Sequence, residues 1–148
     1  AVGFANGTIR YSNVGADVGF GDIRSTATIS PSLWLPANRH VTFQAAGLDA
    51  ANASNLRLTF DIAASAAALG NAQNVDNNII TINFNGSSYS LPPIVVTTNN
   101  GFVPVSIPLT TDGAANSILQ LVSTFNPNTN TGNTVGIRVD NIRLYGTR

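Results

Sequence analysis

Apolar side chains recur at every second position in segment after segment of this chain, and that period admits strands but not helices. In Leu56-Arg57-Leu58-Thr59-Phe60-Asp61-Ile62 the residues Leu56, Leu58, Phe60 and Ile62 share one phase, with Arg57, Thr59 and Asp61 on the other. An extended backbone sends successive side chains to opposite faces, so this pattern buries one face and wets the other. Residues 22–29 alternate likewise, as do 40–45, where Val41 and Phe43 oppose His40, Thr42 and Gln44. Residues 102–109 set Val103, Val105, Ile107 and Leu109 against Phe102, Pro104, Ser106 and Pro108. Two prolines on one face forfeit ladder hydrogen bonds, which predicts an edge strand or one with bulges. Residues 118–125 form a further strand, followed by a polar loop at 126–134.

Turn chemistry separates these runs. Asn85-Gly86 between residues 79–84 and 87–91 is the strongest hairpin signal, because a type I′ turn needs φ > 0 at both central positions. Asn100-Gly101 and Asp112-Gly113 mark two more turns. Near the C-terminus the phase breaks: Val135, Ile137 and Val139 share one face, while Ile142 and Leu144 fall on the other. One extra residue at Asp140-Asn141 brings both sets inward, which predicts a β-bulge there. The helical candidate is a single alanine-rich turn at residues 65–69, with Ser65 as N-cap and Gly70 as terminator. The expected fold is therefore all-β, a two-sheet antiparallel jelly-roll sandwich with at most one short helical turn. The 148 residues are expected to form a single domain, long enough to bury roughly 68–70% of the unfolded surface.

Composition then removes whole classes of function. All seven basic residues are arginine and all seven acidic ones aspartate; lysine, glutamate, cysteine and methionine are absent. Zero net charge and scattered charges leave no electrostatic footprint for nucleic acid or an anionic membrane. No apolar run approaches the roughly 18 residues that span a bilayer, so no transmembrane segment is expected. Lacking oxidation-sensitive Cys and Met suits a secreted, extracellular life, and Ala1 fits the mature end left by signal-peptide cleavage.

Two segments carry a resemblance. Asn55-Leu56-Arg57-Leu58-Thr59-Phe60-Asp61-Ile62-Ala63 resembles the mid-domain strand of bacterial cell-surface jelly-roll domains. Val139-Asp140-Asn141-Ile142-Arg143-Leu144-Tyr145-Gly146 is similar to their closing strand, shared with carbohydrate-binding modules of that fold. The resemblance implies a non-catalytic module, and for Asp140 a share in a structural calcium site with acidic residues near the N-terminus. Here Asp17 and Asp22 would have to stand in for the usual glutamates. The competing reading of Asp140 is a hydrogen bond to the bulge backbone.

Catalysis finds no assembled machinery. A glycosidase needs two carboxylates flanking the bond, and no such pair is evident. His40 is the one histidine and no Gly-x-Ser-x-Gly elbow exists, so neither a serine triad nor a zinc site can be assembled. No enzymatic activity is expected and no cofactor is required; a structural calcium is what the resemblance alone would add. Glycan or cell-surface ligand binding survives as the first reading, serving adhesion: aromatic rings stack on pyranose faces while Asp, Asn and Arg bond the hydroxyls. Trp34, in a proline-bounded segment expected at a sandwich rim, leads the ligand candidates, with Tyr11, Tyr89, Tyr145, Arg39 and Asn38. A lone Trp flanked by Leu33 and Leu35 is equally at home in a core. The alternative is a self-assembling subunit of an extracellular filament or surface coat, its residues 1–9 completing a neighbour's sheet by β-strand complementation. Asn6-Gly7-Thr8, Asn52-Ala53-Ser54 and Asn85-Gly86-Ser87 are N-glycosylation sequons by pattern, expected at exposed turns.

Overall fold

The computed structural model describes residues 8–14, 23–26, 29–36, 40–64, 74–75, 80–92, 94–95, 101–123 and 136–147. For residues 8–14, 23–26, 29–31, 34, 36, 40–41, 64, 74–75, 94–95 and 136 that description is of the backbone alone. The strands are β1 (Thr8–Val14), β2 (Ile23–Thr26), β3 (Ile29–Pro36), β4 (His40–Leu48), β5 (Ser54–Ala64) and β6 (Asn74–Val75). They continue with β7 (Ile80–Phe84), β8 (Ser87–Ser90), β9 (Ile94–Val95), β10 (Val103–Pro108), β11 (Ser117–Ser123) and β12 (Gly136–Thr147). One sheet has the order β1-β4-β11-β7-β8, the other β10-β5-β12-β3-β2, and β6 with β9 forms a two-stranded ribbon. From β3 to β12 the long strands alternate between the two sheets, which is the jelly-roll path, and every pairing is antiparallel. The described residues include no helix; the helical turn expected at 65–69 lies outside them.

Burial of alternate residues holds the sandwich together. Leu58, Phe60 and Ile62 of β5 meet Ile82 and Phe84 of β7 and Leu119 and Leu121 of β11 in one core, each at most 1% exposed. Side chains of that size each contribute about 1.5–3 kcal/mol when fully withdrawn from water. The proline-bearing strand β10 pairs with β5 alone, an edge as its prolines require. The Asn85-Gly86 turn closes β7 on β8 with φ of 48° and 85°, as a type I′ hairpin demands.

Bulges set the remaining register. Between Asp140 and Arg143 the partner strand advances only from Asp61 to Thr59, so β12 holds the extra residue that its phase break implied. Asn141 takes it up at φ 52°, a left-handed conformation that asparagine tolerates better than most residues. Val139 and Leu144 are consequently both buried, each 1% exposed. Register also slips by one residue where Asn55 (φ 52°) enters β5 and where Gly47 (φ 70°) sits in β4.

Three expectations need correction. The alternating run 22–29 is two strands, since Thr26 pairs with Ile29 across a reversal. No Gly, Asn, Asp or Pro marks that turn, so alternation ran through it unseen. The proline-bounded segment around Trp34 is not a rim loop but β3, an interior strand. Pro31 is tolerated because β12 pairs only with Leu33–Pro36 and the β2 register shifts beside it. The sequon Asn85 is half-buried rather than exposed, its amide nitrogen donating to the Asp112 carbonyl (3.0 Å) and Ser117 Oγ (3.1 Å).

Candidate functional site

Among the described side chains, charge separates the two outer faces. On the sheet containing β4, β11, β7 and β8 the described outward side chains, among them Thr42, Gln44, Thr81, Asn83, Ser88 and Gln120, carry none. Several bond one another, Gln120 to Gln44 at 2.8 Å and Ser88 to Asn83 at 2.7 Å, as cross-strand pairs that stabilise a sheet. The outward positions of β5 and β12 instead hold Arg57, Asp61, Arg138, Asp140 and Arg143, so the candidate site is sought on this face.

Register fixes its layout. Asp61 stands opposite Pro104 on one side and Asp140 on the other; Thr59 lies between Ser106 and Arg143; Arg57 lies between Pro108 and Tyr145. A cleft of about 460 Å³ opens here, its wall made by the side chains of Thr59, Asp61, Pro104, Ser106, Asn141 and Arg143. The bulge shapes it: Asn141 donates from Nδ2 to Asp61 Oδ2 at 2.6 Å, while its backbone N–H donates to Asp140 Oδ1 at 2.7 Å. One asparagine thus supplies a donor to each of two carboxylates that face each other across the strands. Arg57 Nη1 donates to Ser106 Oγ at 2.8 Å, and Arg143 Nη1 to the Tyr145 hydroxyl at 3.3 Å. The bond to Tyr145 raises the Arg143 pKa, with the Asp61 carboxylate adding a smaller push in the same direction. Phe102, 38% exposed, precedes Pro104 by two residues in the outward phase of β10.

Of the six residues expected from sequence to bind ligand, the two whose side chains are described, Tyr145 and Tyr89, lie in different sheets. Tyr145 lies on the charged face beside Arg143 and opposite Arg57. Tyr89 is on β8 in the other sheet, where its hydroxyl accepts the N–H groups of Thr110 (3.1 Å) and Thr111 (3.0 Å) and contacts Thr111 Oγ1 at 2.7 Å. Burial alone would raise its pKa, but these hydrogen bonds outweigh that and lower it. The phenol clamps the loop after β10 onto the β7–β8 hairpin. A Tyr89→Phe variant strands two backbone donors and is expected to lose about 1–2 kcal/mol of stability by urea denaturation. Trp34 and Tyr11 have described backbones, opposite Arg138 and Phe43, but side chains outside the described residues. Asn38, Arg39, Asp17 and Asp22 also lie outside them.

Asp140 makes the backbone bond at the bulge that was the competing reading of it. No group of three or more His, Cys, Asp or Glu side chains comes together among the described residues. Of the N-terminal segment, Thr8 and Ile9 pair with Ala46 and Ala45 of the chain's own β4, and residues 1–7 lie outside the described part.

The fold has counterparts among solved structures. A family 35 carbohydrate-binding module from Paenibacillus barcinonensis superposes with a TM-score of 0.55 at 15% identity, covering 99% of this chain and 98% of that one. A family 35 module from Cellvibrio japonicus gives 0.52 at 16% identity over 99% and 92%, and one from Clostridium thermocellum 0.51 at 14% over 99% and 96%. The enzymatically active domain of tailspike protein 4 from bacteriophage CBA120 matches 97% of this chain with a TM-score of 0.50 at 14% identity, yet the chain spans only 20% of its length. No protein-family model and no curated protein matches the sequence. The architecture is therefore the β-sandwich of family 35 carbohydrate-binding modules, a likeness of fold.

Proposed function

We propose that this chain is a non-catalytic glycan-binding module, working outside the cell at a surface, whose ligand lies along the charged face of β10, β5 and β12. The observation that carries this reading is the cleft itself. Carboxylate, amide, hydroxyl and guanidinium groups line it together on the sheet face. Sugars need that mixture, since each hydroxyl both donates and accepts, and groups already held in place lose little entropy on binding. The fold adds support, because three proteins that share it nearly end to end are carbohydrate-binding modules.

The test is affinity electrophoresis and calorimetry against a panel of soluble polysaccharides. Asp61→Ala is expected to weaken binding about 10- to 100-fold, the factor for losing a hydrogen bond to a charged group. Ser88→Ala, on the other sheet, is expected to change nothing and serves as the control. Binding that survives Asp61→Ala intact would move the site elsewhere, and no binding to any polysaccharide would end the glycan reading.

A further inference from the structure

The two large sheets end in β1 and β8 on one side and in β10 and β2 on the other. An edge strand offers unpaired backbone groups to another chain, and proteins blunt such edges with charge or proline. Strand β10 carries Pro104 and Pro108, β1 carries Arg10, and β2 carries Arg24. Strand β8, Ser87-Ser88-Tyr89-Ser90, carries none of these, and neither does its partner β7.

The hairpin fixes which backbone groups of β8 are spent. Its type I′ turn bonds the Phe84 carbonyl to the Ser87 N–H, and hydrogen-bonded pairs then alternate along the ladder. Ser87 and Tyr89 therefore give their groups to Phe84 and Ile82, while the N–H and C=O of Ser88 and Ser90 point away from β7. Among the described residues nothing takes them up. The loop after β10, held against this hairpin, uses its donors elsewhere: the N–H groups of Thr110 and Thr111 both go to the Tyr89 hydroxyl. Pro92, which has no N–H, follows two residues after Ser90.

The side chains decide what can be added there. Strand addition takes affinity from the backbone and specificity from pockets for alternate side chains, and the exposed Ser88 and Ser90 are too small to wall a pocket. A second β8 needs none. Turned antiparallel about a two-fold axis through Tyr89, it sets Ser88 of each copy opposite Ser90 of the other. Each such pair exchanges N–H···O=C bonds in both directions. A two-fold contact also brings any charge on the edge near its own copy, which favours a neutral strand. Of the four edges, Arg10 and Arg24 count against β1 and β2, the prolines against β10, and β8 meets both requirements.

We propose that the free edge of β8 is a self-association surface, on which a second copy of this chain adds its own β8 antiparallel and joins two sheets into one. The cleft on β10, β5 and β12 belongs to the other sheet and takes no part in the contact, so this pairing stands or falls apart from the glycan reading.

The test is sedimentation equilibrium of the full chain from micromolar to millimolar concentration. The mass is expected to rise from 15.4 kDa towards twice that value. Over the same range the amide resonances of Ser88 and Ser90 are expected to shift, while that of Ser106 on the proline-bearing edge stays in place. Ser90→Pro removes an outward N–H from each copy and no bond to β7. It is expected to weaken the dimer about 10- to 100-fold at an unchanged urea midpoint. Ser88→Arg/Ser90→Arg keeps every N–H but sets like charges against each other, so its dimer is expected to vanish at low salt and return in part at high salt. That variant decides the matter should Ser90→Pro fold poorly. A chain that stays monomeric at millimolar concentration overturns the proposal. So does a dimer that both variants leave intact, or a mass that climbs past two copies, since a two-fold contact closes on itself.

Discussion

Replacing Gly113 with alanine is expected to lower stability by about 3 kcal/mol, at the upper end of the cost of overpacking. A Cβ there would lie 2.2 Å from the carbonyl oxygen of Ala50, 2.6 Å from its Cβ and 2.9 Å from its carbonyl carbon. Backbone is what it meets, so no side chain can swing aside. Nor can Ala50 retreat: it is fully buried, its N–H donates to the Ala114 carbonyl at 2.9 Å, and its own carbonyl accepts from Ala53 N–H at 3.1 Å. On the other side Ser117 Oγ holds both the N–H and the carbonyl of Ala114, at 2.8 and 2.9 Å. Relief requires breaking one of these bonds. For a domain of this size the loss corresponds to a melting point lower by about 6–12 °C, read by calorimetry. A drop of a degree or two would mean that the 109–117 loop shifts freely over residues 48–53.

Sequence and structure agree most closely where one residue does one physical job. Pro104 and Pro108 cannot donate to a ladder, and β10 is an edge. The phase break between Val139 and Ile142 has one remedy, and Asn141 supplies it. Asn85-Gly86 needs two left-handed residues and has them. Agreement fails where the local signal is missing or cancelled. No turn residue stands between Thr26 and Ile29 in the sequence, yet β2 and β3 pair antiparallel. Pro31 would exclude an interior strand if every interior position had partners on both sides, but the first half of β3 has no bond to β12. Two of the asparagines taken as sequons have another use: Asn52 and Asn85 adopt positive φ, as do Asn55 and Asn141, so these four asparagines serve left-handed positions at turns and bulges.

The candidate site was legible only in part. Looking for aromatic platforms singled out Trp34 and the tyrosines, and of these Tyr145 stands on the charged face while Tyr89 ties down a loop. Arg57, Thr59 and Asp61 were read merely as the wet side of one strand, and Arg143 was given no role of its own. The overlooked signal was scarcity. With charged residues at only 9% of the chain, two strands that each carry an Arg and an Asp at outward positions stand apart from β7 and β8, whose outward positions are Thr, Asn and Ser. That 57–61 and 140–143 lie side by side could not be read from either strand alone, because strand order in a jelly roll is set by long connections that local pattern does not encode.

Asn85 is where backbone and side-chain requirements meet, and a three-variant series separates them. Its φ of 48° asks for a residue that tolerates the left-handed region, and its side chain makes three bonds across the loops. Oδ1 accepts the Ile118 N–H at 3.0 Å, while Nδ2 donates to the Asp112 carbonyl at 3.0 Å and to Ser117 Oγ at 3.1 Å. Gly86→Ala tests the backbone alone, since φ is 85° there and a Cβ would meet nothing within 4 Å; it is expected to cost about 1 kcal/mol. Asn85→Gly keeps the left-handed turn and removes the three bonds, at about 2–3 kcal/mol. Asn85→Ala loses the bonds and adds the strain, for about 3–4 kcal/mol. The order Gly86→Ala, Asn85→Gly, Asn85→Ala from mildest to most severe, measured as urea midpoints at constant m-value, is the expected result. Should Asn85→Gly match the parent, water replaces the side-chain bonds at no net cost, and the turn is specified by backbone conformation alone. Should it cost as much as Asn85→Ala, the bonds account for the whole effect. The hairpin would then be fixed by its ties to β11 and the 109–117 loop rather than by its turn type.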